Sequence, residues 1–201
     1  TGGLANGSGG LLIVGNTAER LKRRALMFFD VAGSLPPRVT ITRATLTATI
    51  LETDGPSAPE VISLFDVAAN WTEGGSDASA NPRVGVASQS GDATWRHRSF
   101  SNSIWQTLGG DTEGAARASA NVSGHGFYHW TSAELTQEVA AWLDNPAANR
   151  GWMLFAAEAV NGADKAFASS ENSLTAMRPQ LRIEYLPVTR PELTPIGNQT
   201  V

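Results

Sequence analysis

The chain has no cysteine in its 201 residues, which excludes disulfides, zinc–thiolate sites and cysteine nucleophiles and leaves the fold to stand on packing alone. Charge is sparse as well: Asp, Glu, Lys and Arg make up 17% of the sequence, against about 25% in an average soluble domain. Abundant serine and threonine and 20 glycines therefore solvate the surface with hydroxyls and backbone, a composition typical of loop-rich secreted proteins. The formal net charge of −4 and pI near 5.4 supply no field to hold a polyanion, so nucleic acid and anionic membrane surfaces are excluded as main partners. No apolar run reaches the ~18 residues that would suggest a membrane-spanning helix. Gly-x-Ser-x-Gly, phosphate-loop, dinucleotide and His-Glu-x-x-His signatures are all missing, and no enzymatic activity is expected. Residue 1 is Thr, with neither Met nor a basic-then-apolar leader; the expectation is a processed, exported chain or one cut from something longer.

What is present reads as one all-β domain with a short piece at each end. Residues 1–10 carry five glycines and would be floppy in isolation, because little there can bury enough surface to offset ordering entropy. Residues 11–187 hold the domain, and 188–201 form a linker and an isolated terminal strand. Leu11 to Val14 reads as a short strand and Arg24 to Val31 as a buried central one, ended by Gly33, Pro36 and Pro37. Ile41 to Ile50 alternates, with Ala44, Leu46, Ala48 and Ile50 on one face and Thr45, Thr47 and Thr49 on the other, which requires a sheet with one wet face. Further strands are expected at 60–67, 94–100, 127–130, 152–156, 165–169 and 180–185, with a long surface loop over 74–92. One helix is expected: Thr131 and Glu134 form a capping box, Leu135, Val139, Trp142 and Leu143 share a face, and Asn145-Pro146 ends it. About eight to ten short strands and one helix make a β-sandwich or jelly roll.

Several blocks occur in the order seen in one family of secreted modules. They are Arg24-Ala25-Leu26-Met27-Phe28-Phe29-Asp30, Ile41-Thr42-Arg43-Ala44-Thr45-Leu46, Trp71-Thr72-Glu73-Gly74, Thr94-Trp95 and Gly109-Gly110-Asp111. Tyr128-His129-Trp130-Thr131, Trp142, Asn149-Arg150-Gly151-Trp152, Ser169-Ser170-Glu171 and Arg178-Pro179-Gln180-Leu181 follow. In these residues the chain resembles the DNRLRE-type domains, a β-sandwich group related to disaggregatase repeats and assigned in part to carbohydrate-binding module family ninety-six. The likeness spans roughly residues 6 to 187. It implies a secreted, cell-surface and usually prokaryotic setting in a multidomain protein, with polysaccharide binding in some members, and does not imply catalysis. Pro191 to Val201 resembles the linker and first strand of immunoglobulin-like or cadherin-like repeats. A lone strand leaves its backbone groups unpaired, so Leu193, Ile196 and Val201 are candidates for adding to the edge of a neighbouring copy or module.

Among the aromatic residues, Trp71, Trp95 and Trp142 stand beside strand or helix positions and are expected as core plugs. Trp105, Tyr128 and Trp130 are the expected sugar platforms. His125 and His129 share a strand face, but no third transition-metal ligand accompanies them. Structural calcium is the metal best suited to the composition, with Asp111, Glu113, Asp164 and Glu171 in glycine-rich loops as candidate ligands, although no twelve-residue calcium loop occurs; no other cofactor is expected. The basic runs Glu19-Arg20-Leu21-Lys22-Arg23-Arg24 and Arg96-His97-Arg98 read as solvated strand edges or as a groove for an acidic polysaccharide. Two functions fit these readings. One is a non-catalytic structural subunit of a cell-surface assembly or filament, joined by strand addition through its termini. The other is a carbohydrate-binding module for an extracellular polysaccharide.

Overall fold

The computed structural model describes residues 2–53 and 59–188, and the architecture is an all-β sandwich with one helix of substance. Among the described residues, Leu193, Ile196 and Val201 are absent, so the terminal-strand expectation lies outside them. One sheet is built from β2 (Leu11–Asn16), β3 (Lys22–Arg23), β5 (Val39–Thr53), β11 (Gly126–Trp130), β13 (Lys165–Ala168) and β14 (Gln180–Pro187). Its order is β11-β5-β13-β2-β3, and β14 shares the β13 side of β5, pairing with the first part of that long strand while β13 pairs with the last. The facing sheet has the order β10-β6-β12-β4, formed by β4 (Ala25–Met27), β6 (Glu60–Val67), β10 (Thr112–Val122) and β12 (Trp152–Phe155). All the pairings are antiparallel.

Alternation in the sequence decides which residues meet between the sheets. On β5, Ala44, Leu46, Ala48 and Ile50 are buried, and they face Ile62 and Leu64 of β6, Ala118 and Val122 of β10, and Trp152 and Leu154 of β12 in one continuous core. Trp130 spans the layers: fully buried, it packs edge-on against Phe167 and donates its indole N–H to the Ile62 carbonyl at 2.7 Å. The helix α2 (Ala133–Asp144) closes one side with Leu135, Val139 and Trp142, whose ring lies 4.6 Å from that of Trp152. Its cap sits one residue later than expected. Ser132, not Thr131, accepts from the Leu135 N–H, and Thr131 instead donates to the Ala44 carbonyl, so the capping box is replaced by a single hydroxyl cap.

Four further expectations are revised. Arg24 to Val31 is not a central strand: β4 covers three residues at the edge of its sheet, and the chain then turns through a short helical segment, α1 (Val31–Ser34), capped by Asp30. Its apolar density has another cause, since Met27 joins the main core while Leu26 packs into a second, smaller one. Only His97–Ser99 of the expected 94–100 strand is extended; as β8 it pairs with β9 (Ser103–Ile104). The eleven residues of β10 lie where no strand is expected from the residue pattern. Finally, the glycine-rich head is stitched down. Leu4–Ala5, β1, pairs with Val86–Ala87, β7; Asn6 donates to the Leu11 carbonyl and accepts from the Ala78 N–H; Ser8 bonds to the carbonyls of Ser76 and Gly75. Ordering entropy is met here by hydrogen bonds to a distant loop rather than by apolar burial.

That loop, residues 72–92, is organised by one carboxylate. Asp92 is fully buried and accepts from the N–H groups of Gly75, Ser76 and Gln89 and from the Ser76 hydroxyl. Gly74, at φ +79°, touches Asp92 so closely that a Cβ there would collide with its carboxylate, and only glycine combines that φ with that approach.

Candidate functional site

Strand alternation sends Trp152 and Leu154 inward and Met153 and Phe155 to the outer face of the four-stranded sheet. There Met153 packs with Val67 and Trp105, flanked by Leu26, Ala69, Trp71 and Phe155, under the folded-back loop and the glycine-rich head. Beside this second core lies a cleft of about 170 Å³, with Trp71, Trp95, Glu73, Lys22, Arg23 and Arg24 in its lining. This is smaller than the ~300–1,000 Å³ of a typical small-molecule pocket, which suits one ring of a longer chain.

Trp71 and Trp95 are both half-buried. Trp71 is anchored by its indole N–H to the Arg150 carbonyl at 2.8 Å. Trp95 is held at one face: the Arg24 guanidinium lies over its ring, 4.8 Å from the centre, and 3.9 Å from the centre of Phe155, an attraction between cation and ring quadrupole. Arg24 is in turn fixed by Glu158, which takes two hydrogen bonds at 2.6 and 3.1 Å, and by the Gly109 carbonyl at 3.1 Å. Gly109, at φ +91°, lets the chain pass so close that a Cβ would stand 2.8 Å from the Trp95 ring. Glu73 is partly exposed at the cleft, and its pKa is raised by burial first and by the nearby Glu171 charge second.

The structure revises part of the assignment of the aromatic residues. Trp105 and Trp130, expected as platforms, are 4% and 0% exposed, and their N–H groups donate to the Thr94 and Ile62 carbonyls. Trp130 lies in the main core away from the cleft, whereas Trp105, though nearly covered, is part of the cleft's lining. Tyr128 is half-buried against the main core, with its hydroxyl donating to the Gly124 carbonyl and accepting from the Ser123 N–H. Trp71 and Trp95, expected as core plugs, line the cleft, and Trp71 packs against the second core as well; Trp142 is buried as expected. No sequence pattern separates these cases, because the outward face of a sheet is a core wherever a loop covers it.

The acids expected to hold calcium do not converge, and among the described residues no three His, Asp or Glu side chains form a metal-sized group. Asp111 closes its own loop by accepting from the Gln106 and Thr107 N–H groups. Glu113 stands 4.0 Å from Arg150, Asp164 is buried with Arg83 at 2.9 Å, and Glu171 accepts from the Ser170 hydroxyl. His125 and His129 are exposed, the latter 2.9 Å from the Thr47 hydroxyl.

A separate, partly buried cluster joins α2 to the four-stranded sheet. Arg117 of β10 is paired through Nε and a terminal nitrogen with both oxygens of Asp66 on β6, and its Nε lies 3.3 Å from Glu138 of the helix. Glu138 also accepts from the Trp152 indole N–H at 2.5 Å. Burial, and then the neighbouring Asp66 carboxyl, push the Glu138 pKa up to about 8. Sequence gives no sign of this cluster, since its members come from three separated elements. No helix among the described residues is long and apolar enough to cross a membrane.

Neither a protein-family model nor a curated protein matches the chain.

Proposed function

We propose that this chain is a non-catalytic, extracellular binding module that takes part of a saccharide chain in the cleft beside Trp71 and Trp95. The observation that carries the reading is the pairing of two half-buried indoles, each pinned by contacts of its own, at one concavity. Pyranose C–H bonds carry slight positive charge and favour the negative face of an aromatic ring. Rings already held in place lose little entropy when a ligand docks, which favours affinity. The resemblance to DNRLRE-type domains agrees with this setting.

Isothermal titration with oligosaccharides, run on the parent and on Trp95→Ala, tests the reading. Removing the ring lowers affinity at least about tenfold, or ~1.4 kcal/mol, with the melting temperature checked in parallel. Equal affinity in the two proteins contradicts the proposal.

A second reading, assembly by strand addition, is favoured by β14. Among the described residues this strand pairs with β5 alone, and Leu186 and Val188 at its end are 62% and 56% exposed. An open edge is a ready template for another strand. Light scattering over a range of concentrations tests it, comparing the chain with a version lacking residues 190–201. Assembly predicts oligomers that vanish on truncation; a monomer in both cases removes this reading.

A further inference from the structure

The run Lys22-Arg23-Arg24 gives the cleft a cationic look in sequence, yet the structure engages nearly all of its donors internally. Arg23 donates to the carbonyls of Arg83, Val84 and Lys22. Arg24 gives its side-chain hydrogen bonds to Glu158 and the Gly109 carbonyl. The Lys22 ammonium lies 3.4 Å from the same Glu158 carboxylate. A sugar carboxylate entering here meets no guanidinium fork free to bind both its oxygens, which is the arrangement that makes such recognition strong.

Glu73 is placed the other way. It lines the cleft, and no hydrogen bond or ion pair to a described residue engages its carboxylate. The charge that acts on it, Glu171, is of the same sign. Its oxygens are therefore open acceptors beside the two indoles. Sugar hydroxyls are donors and suit them; a second carboxylate is repelled and would be desolvated without a partner.

We propose that the cleft selects electrically neutral saccharides over uronic-acid chains, and that Glu73 is the specificity-determining residue. The inference rests on the saccharide reading above and names the class of sugar.

The test uses matched hexamers that differ only in oxidation at C6: β-linked gluco-, manno- and galacto-hexaoses beside the corresponding glucuronate, mannuronate and galacturonate hexamers. Affinities are measured by isothermal titration on the full chain at low and at physiological salt. The neutral member of the bound pair is expected to bind at least about tenfold more tightly, a gap that shrinks as salt screens the carboxylates. In Glu73→Gln the gap is expected to narrow by about tenfold. A uronate that binds as tightly as its neutral partner in the parent overturns the proposal while leaving the saccharide reading standing. An unchanged ratio in a folded Glu73→Gln protein overturns the role of Glu73. Binding of none of the six overturns both the proposal and the reading beneath it.

Discussion

Replacing Asp92 with alanine is expected to cost about 3–5 kcal/mol, the scale for removing one partner from a buried charged hydrogen-bond network. Four donors lose their acceptor at once: three backbone N–H groups and the Ser76 hydroxyl. The two donors of Ser76 cannot turn to water without opening the loop, because Asp92 and Ser76 are fully buried. For a domain of this size the change lowers the melting temperature by roughly 6–20 °C. Damage begins locally. Residues 72–92 and the head that Ser8 and Asn6 fasten to them become cleavable by protease before the sandwich unfolds. A thermal scan with limited proteolysis of Asp92→Ala checks this; a melting point within 2–3 °C of the parent would contradict the central place given to this carboxylate.

The second large effect is on pH dependence. An ordinary glutamate titrates near 4.3, whereas Glu138 is pushed up to about 8 by burial and the Asp66 carboxyl. Between those values the folded chain holds a proton that the unfolded chain has released, so stability falls as pH rises across that window and levels off above it. Arg117 and the Trp152 indole N–H favour the ionised form and already temper that value, so the cost between pH 5 and pH 9 is about 4 kcal/mol, or roughly 8–16 °C. Glu138→Gln cannot ionise, and its oxygen still accepts from the indole. Melting curves are expected to flatten over this range and to place the variant above the parent at pH 9. An unchanged slope in Glu138→Gln would show that other groups set it.

How much of this was legible beforehand depends on whether a residue's role was written in its neighbours. The alternation of Ala44, Leu46, Ala48 and Ile50 against threonines dictates a half-buried strand, and β5 is one. The apolar stripe of Leu135, Val139 and Trp142 dictates a helix facing the core. By contrast, β10 reads Thr-Glu-Gly-Ala-Ala-Arg-Ala-Ser-Ala-Asn-Val, whose many small and polar residues carry little intrinsic strand preference. It is extended because it pairs with β6 and fills the core with Ala118 and Val122. The β4 segment misled for the opposite reason, since an edge strand serving two cores is as apolar as a central one.

The candidate site was the least legible part. Trp95 and Trp105 are ten positions apart in irregular chain, and nothing local tells which lies under the loop. Asp92, Glu158 and Glu138 each act on partners far away in sequence, so their roles emerge only once the sheets bring those partners together. The basic run is a related case. Its charges are real, but Glu158 and several backbone carbonyls engage them, and the cleft they suggested for acidic chains is left with Glu73 as its open group.

The claim on which the function turns is that two particular indoles out of six meet the ligand. Indole N–H resonances in a nitrogen-15 proton correlation spectrum, assigned by single tryptophan replacements, report on all six side by side during titration with the best-bound hexamer. The account predicts that the Trp71 and Trp95 signals shift progressively with saturation while those of Trp130, Trp142 and Trp152, which lie in the main core, stay in place. Shifts confined to any of the latter three, or none at saturating sugar, would contradict it.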